Sequence, residues 1–138
     1  MKSVFLFAAC ILMAGCCKMI CEDTDTLAVS FEKFKTLDTD TVLLVKYQPG
    51  AQQVTSLDTI KVYNNVLPTD TMPSRLVRYL SSSFDWKIIV PSVRKQYIVS
   101  DFVLSSKRCP CGGGGYKSID AFSVDGRRKG EAAFLVLE

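Results

Sequence analysis

Apolar residues in this chain recur at every second position in short runs, and most runs stop at a turn-forming residue. A period of two is the mark of a strand with one buried face, whereas a helix needs a period near 3.6. Leu27, Val29 and Phe31 alternate with Ala28, Ser30 and Glu32. Thr41-Val42-Leu43-Leu44-Val45-Lys46-Tyr47 is β-branched and apolar on both faces, the pattern of a central strand, and stops before Pro49-Gly50. Thr59-Ile60-Lys61-Val62-Tyr63 alternates again. Trp86-Lys87-Ile88-Ile89-Val90 stops at Pro91, and residues 96–104 follow after Ser92-Val93-Arg94-Lys95, which predicts a hairpin. A second hairpin is predicted around Asp125-Gly126, because both residues tolerate the positive φ of a type I′ turn; residues 119–124 run in and 132–137 return. Gly130 is a candidate bulge. Residues 71–80, with Pro73 near their start and Leu76 and Leu80 four apart, admit one or two helical turns in a crossing loop, or an edge strand. About seven short strands separated by turns predict an all-β fold, an antiparallel β-sandwich, Ig-like or related, with one short helix in a loop at most.

The first residues follow a different rule. Lys2 precedes the apolar run 4–13 and the small pair Ala14-Gly15. The run is too short to cross a bilayer, which takes about 20 residues, and has the length of a cleaved export signal. Met13-Ala14-Gly15-Cys16 resembles the lipobox of bacterial lipoproteins, with Met13 where that family usually has Leu. The resemblance implies cleavage after Gly15, diacylglycerol on the Cys16 thiol and often acylation of the new amine. Two or three acyl chains hold a protein firmly on a membrane, while one holds it marginally. The expected organisation is a signal peptide over 1–15, a lipid-anchored tether over 16–25 and the sandwich domain over 26–138.

Charge narrows the partners. The chain has 17 Lys and Arg against 14 Asp and Glu, and loss of Lys2 with the leader brings the basic count to 16. Such a balance does not predict a nucleic-acid partner. Lys107-Arg108 and Arg127-Arg128-Lys129 form two basic clusters. They could attract an anionic glycan or headgroup, but are more simply read as charges that keep turns and strand edges soluble.

Chemistry is constrained by an absence: the chain has no histidine. Ser-His-Asp and Cys-His nucleophile systems and His-based zinc enzymes are therefore excluded. Asp38 and Asp40 could bind calcium with Asp23 or Asp25, although such pairs are more often solvated turn residues. Gly112-Gly113-Gly114-Gly115-Tyr116-Lys117-Ser118 fails as a phosphate loop, because Tyr116 precedes the lysine and a strand pattern follows. The glycines read as a flexible connector. No metal, cofactor or catalytic residue is expected.

With Cys16 lipidated, Cys17, Cys21, Cys109 and Cys111 remain in the exported chain. They can pair in three ways. A zinc site built from all four is disfavoured by the single residue between Cys109 and Cys111. Disulfides form readily outside the cytoplasm. The preferred link is a long-range bridge from Cys21 to Cys109 or Cys111, with local pairs and free thiols as alternatives.

The layout as a whole resembles the small lipoproteins of unknown function common in Bacteroidetes. The carrying features are the lipobox, Cys21 soon after it, strands over 26–31 and 58–63, the run Tyr97-Ile98-Val99-Ser100, and a late cysteine followed by glycine and Tyr116-Lys117. The resemblance implies a small envelope β domain in which early and late cysteines pair. The doubled Cys109-Pro110-Cys111 and the four glycines depart from its pattern. Glu22-Asp23 resembles the acidic stretch near the anchor of surface-exported members. Cys17 is not the Asp associated with inner-membrane retention. The expected location is the cell envelope, lipid-anchored, on the outer membrane.

The functional expectation is a non-catalytic binding, accessory or assembly module, whose partner is another envelope protein or a glycan. The alternatives are a small carboxylate- or thiol-dependent envelope enzyme or ligand carrier, and a fibre or adhesin component. Replacement of Cys16 by alanine is expected to abolish labelling by radioactive palmitate and release the protein from membranes; labelling that persists in the variant would place the anchor elsewhere.

Overall fold

The structure is a computed structural model, described for residues 21–51, 53–65, 67, 69, 71–109, 114–131 and 134–138. Two sheets pack into a β-sandwich. Nine strands are found among the described residues: β1 Thr26–Ser30, β2 Thr41–Tyr47, β3 Ser56–Tyr63, β4 Val77–Ser81, β5 Asp85–Val90, β6 Lys95–Arg108, β7 Gly115–Val124, β8 Arg127–Lys129 and β9 Phe134–Val136. The large sheet has the order β3-β2-β5-β6-β7-β8, every pair antiparallel. The small sheet has the order β4-β1-β9, with β4 antiparallel and β9 parallel to β1.

The alternation seen in the sequence decides which side chains meet between the layers. Leu27 and Val29 of β1 point inward with Phe31 just beyond, and all three are fully buried. Facing them are Val42 and Leu44 of β2, Ile88 and Val90 of β5, Val99 of β6, and Ile119 and Phe122 of β7. Pairing keeps these residues in rows, Leu44 beside Ile88 and Trp86 beside Val99. Trp86 also joins the sheets, since its indole N–H donates to the Ser81 carbonyl of β4 at 2.9 Å. Lys46 lies over the Phe84 ring at 4.6 Å and covers the same end of the core.

Of the two readings of residues 71–80 the edge strand holds: Val77–Ser81 form β4, because Leu80 can then join the core while Tyr79 faces out. Two elements differ from the sequence expectation. Helical turns occur instead as 3₁₀ turns at Thr36–Thr39 and Pro91–Val93. The strand that returns after Asp125-Gly126 is Arg127–Lys129, not 132–137. Beyond Gly130 the chain leaves the large sheet, and Phe134–Val136 pairs with β1 of the other layer. This crossing lets Leu135 and Leu137 pack on the core, which a continued hairpin could not do. Nine strands rather than about seven result. Each of the seven anticipated runs holds a strand; the last of them, within 132–137, joins the other layer rather than the hairpin.

β6 is the longest strand, with 14 residues, and β5 accompanies only its first part, Lys95 to Val99. Asp101 takes a positive φ of 53° at a bulge where the β6–β7 register shifts. The bulge sharpens the local twist. Past it, β6 and β7 continue as a two-stranded arm that ends at Arg108 and Gly115. The N-terminal segment lies along the outer edge of this arm. Thr24 N–H donates to the Lys117 carbonyl at 2.8 Å, and Lys117 N–H donates to the Asp23 carboxylate at 2.7 Å. Cys21 is disulfide-bonded to Cys109 at the arm tip, with Cα atoms 5.9 Å apart and a sequence separation of 88. In the chain-entropy model closing such a loop contributes about 4.6 kcal/mol.

Phe122 is buried and stacks on Phe102 with ring centroids 6.0 Å apart. Phe122→Ala is expected to cost about 3–5 kcal/mol in urea unfolding, through lost burial and the cavity left behind. Leu57→Ala, at an exposed position on β3, is expected to change stability by no more than about 0.5 kcal/mol.

Candidate binding surface

Because Leu27 and Val29 point into the core, Ala28 and Ser30 must face outward from the small sheet. The register places Tyr79 of β4 and Phe134 of β9 on either side of Ala28, and Val77 and Val136 on either side of Ser30. Tyr79 is 71% exposed and Phe134 49%. Their Cα atoms are two strand spacings apart, about 10 Å. At Ala28 the outer face of the small sheet is therefore a short slot with an aromatic ring on each side, while Ser30 beyond it is buried between valines.

Next to this slot, at the Ser30 end, lies a groove of about 630 Å³. Phe134, Val77, Met72 and Pro73 supply apolar surface, and Glu32, Asn64 and Arg75 supply polar groups. The wall is held by a hydroxyl network. Thr36 donates from its backbone to the Met72 carbonyl at 2.7 Å, and its hydroxyl reaches the same oxygen at 2.8 Å. Ser74 N–H donates to the Phe34 carbonyl at 2.8 Å. The Thr39 and Ser74 hydroxyls share a buried hydrogen bond of 2.7 Å, and the Asn64 amide donates to Thr39 at 3.4 Å. These bonds join the 3₁₀ turn Thr36–Thr39 to the segment entering β4. A polar group can be aimed from such a wall because its supports are themselves satisfied.

Neither the calcium candidates Asp38, Asp40 and Asp23 nor the further aspartates Asp101, Asp120 and Asp125 converge on one site. Asp38 accepts from Lys35 N–H at 3.2 Å, and Asp40 accepts from Thr41 N–H and from the Ser92 hydroxyl. Asp23 is on the arm, bonded to Lys117. Asp101 is at the bulge, where it accepts from the Ser100 hydroxyl. Asp120 is 3.6 Å from the Lys107 ammonium, and Asp125 accepts from Ile98 N–H at 2.8 Å. Among the described residues no three His, Cys, Asp or Glu side chains gather as metal ligands.

The basic clusters separate as well. Arg127, Arg128 and Lys129 are β8, the short edge of the large sheet. Lys107 bonds the Glu131 carboxylate, which raises the ammonium pKa above its usual value. The glycine run leads into β7, so a strand and not a helix follows it. Gly114 has a φ of +63°, and the Cys109 N–H donates to its carbonyl at 3.1 Å, closing the arm tip. Cys16, Cys17, Cys111, Gly112 and Gly113 lie outside the described residues.

A second groove, about 480 Å³, is bordered by Tyr97, Asp125, Arg127 and Glu138. Tyr97 donates its hydroxyl to the Glu138 carbonyl. Burial, then the nearby carboxylates of Asp125 and Glu138, raises the phenol above its ordinary pKa of 10.0.

No family model, curated protein or solved structure matches this chain.

Tyr97 gives a prediction with a definite sign. A phenol whose folded-state pKa is raised contributes stability that is complete below its unfolded pKa, about 10, and is lost as pH rises through the folded value. In tyrosinate absorbance the native protein is expected to show a late-titrating component that Tyr97→Phe loses. Above about pH 10 the native protein should lose stability faster than the variant; a late step that survives in Tyr97→Phe would assign it to another tyrosine.

Proposed function

We propose that the chain is a lipid-anchored protein of the cell envelope, outer membrane by expectation, whose sandwich serves as a non-catalytic binding, accessory or assembly module. The observation that carries this reading is the row Tyr79–Ala28–Phe134, with its two rings exposed, and its adjoining groove. Two aromatic side chains left in water on one face of a small sheet are costly for a protein that works alone, and exposed aromatic surface of this kind marks recognition. The partner is another envelope protein or a glycan. Rings on the slot walls and the Glu32, Asn64 and Arg75 groups beside them suit a ligand with alternating apolar and hydroxyl or amide surface.

Further support comes from what the carboxylates and thiols do. The aspartates are spread over separate turns and hydrogen-bonded there, which weighs against the carboxylate enzyme. Cys21 and Cys109 are joined in a disulfide, which weighs against a thiol enzyme using either. The signal segment, the lipobox match at Cys16 and the resemblance to small Bacteroidetes lipoproteins support the location.

Tyr79→Ser combined with Phe134→Ser is the direct test. Both side chains are substantially exposed, so the double variant should fold with a stability close to that of the native domain. Native protein cross-linked in cells and purified is expected to carry a partner or glycan that the double variant loses. A variant that keeps the partner would overturn the assignment of this surface.

A further inference from the structure

Which part of the domain meets the membrane follows from the disulfide. Strand directions define two ends of the molecule. The pairs Leu43–Ile89, Thr41–Tyr63 and Val90–Lys95 put the start of β2 and β6 and the end of β3 and β5 at one pole. The opposite end is the arm tip, Arg108 beside Gly115. β6 has 14 residues, and at about 3.3 Å per residue the two ends are roughly 40 Å apart. Thr24 pairs in parallel with Ser118 of β7, so β1 runs away from the tip, and Ser30, Asn64 and the groove beside them lie toward the far pole.

We infer that the arm tip, through Arg108, Tyr116 and Lys117, rests on the lipid headgroups, and that the Cys21–Cys109 bridge holds the domain in this pose with its groove turned away from the bilayer. The inference rests on lipidation of Cys16, proposed above. From Cys16 to Cys21 the chain advances by five residues, which span at most about 18 Å even when fully extended. The bridge fixes Cys21 to the tip, so the tip cannot be carried farther than that from the acyl chains. Arg108 and Lys117 are exposed there and Tyr116 is half-buried, side chains suited to the headgroup layer. Glu22 and Asp23 flank them, and Lys107 is occupied by Asp120 and Glu131. The tip therefore has no surplus of positive charge, and the contact is imposed by tether length more than by attraction to anionic lipid. Vesicles of phosphatidylcholine should suffice to reveal it.

The full acylated protein would be placed in phosphatidylcholine vesicles that contain headgroup-spin-labelled lipid, and tryptophan quenching measured in two variants, Tyr116→Trp at the tip and Tyr63→Trp at the far pole. The native Trp86 is buried and forms a constant background. Quenching at the tip is expected to exceed that at the far pole by roughly twofold or more, since only the tip is within the five-residue reach. Equal quenching, or stronger quenching at the far pole, would overturn the inference. Ten Gly and Ser residues inserted between Met19 and Ile20 leave the bridge and the domain intact, and should bring the ratio toward unity, since such a linker adds a flexible span of about 18 Å. A ratio unchanged by the insertion would show that the short tether does not set the pose. Mass spectrometry of the same sample separates the two claims: an unacylated Cys16 defeats the anchor reading, whereas an acylated protein without the quenching contrast defeats only the orientation.

Discussion

β1 holds the second layer of the sandwich together. Among the described residues β4 and β9 each pair with it, one on either edge, and with no other strand. Its inward residues Leu27 and Val29 are fully buried against the large sheet, so the same five residues supply both the backbone ladder of the small sheet and part of the seal between layers. A two-stranded ribbon is marginal in water, and three strands with an apolar face are the usual minimum. Take β1 away and two separate short edges remain. Its entry is secured just upstream, where Thr24 and Asp23 bond to Lys117 and Cys21 to Cys109.

Much of this was visible in the amino-acid order, for a physical reason. Strands of the large sheet bury one face on a thick core, and burial writes a period of two that can be read locally. Thr59–Tyr63 shows the alternation, whereas Thr41–Tyr47 and Asp85–Val90 are central strands marked instead by continuous apolar runs that stop at turn residues. The parts that escaped lack that imprint. β8 is Arg127-Arg128-Lys129, an edge strand with all three side chains exposed, recognisable only from the strand it pairs with. β6 continues past Leu104 through Ser-Ser-Lys-Arg because β7 lies alongside it, not because of any alternation. β9 is short and pairs in parallel with a strand from the other end of the chain, a relation that no local pattern encodes.

The surface at Tyr79, Ala28 and Phe134 was hidden for the same reason. Each residue is unremarkable in its own segment, and the local pattern places Phe134 in a hairpin with residues 119–124. Only the β4-β1-β9 order sets the two rings on either side of one alanine. The bridge was more accessible, since few residues can be its partners. The choice of Cys109 follows from the fold: Cys109 directly ends β6 at the arm tip, where the leading segment passes.

The parallel pairing of β9 with β1 also bears on how the chain comes to be folded. Ala28 and Phe134 are neighbours in the sheet although they sit near opposite ends of the chain, and the bridge spans 88 residues. Contacts so distant in sequence raise the contact order, and all-β domains of high contact order fold in milliseconds to seconds, not microseconds. The small sheet cannot be completed until its C-terminal strand is available, so a partly synthesised chain would present the apolar face meant for it without cover. Such exposed faces are where aggregation starts. Early oxidation of Cys21 with Cys109 would shorten the remaining search, since most of the loop that β9 must close would already be closed.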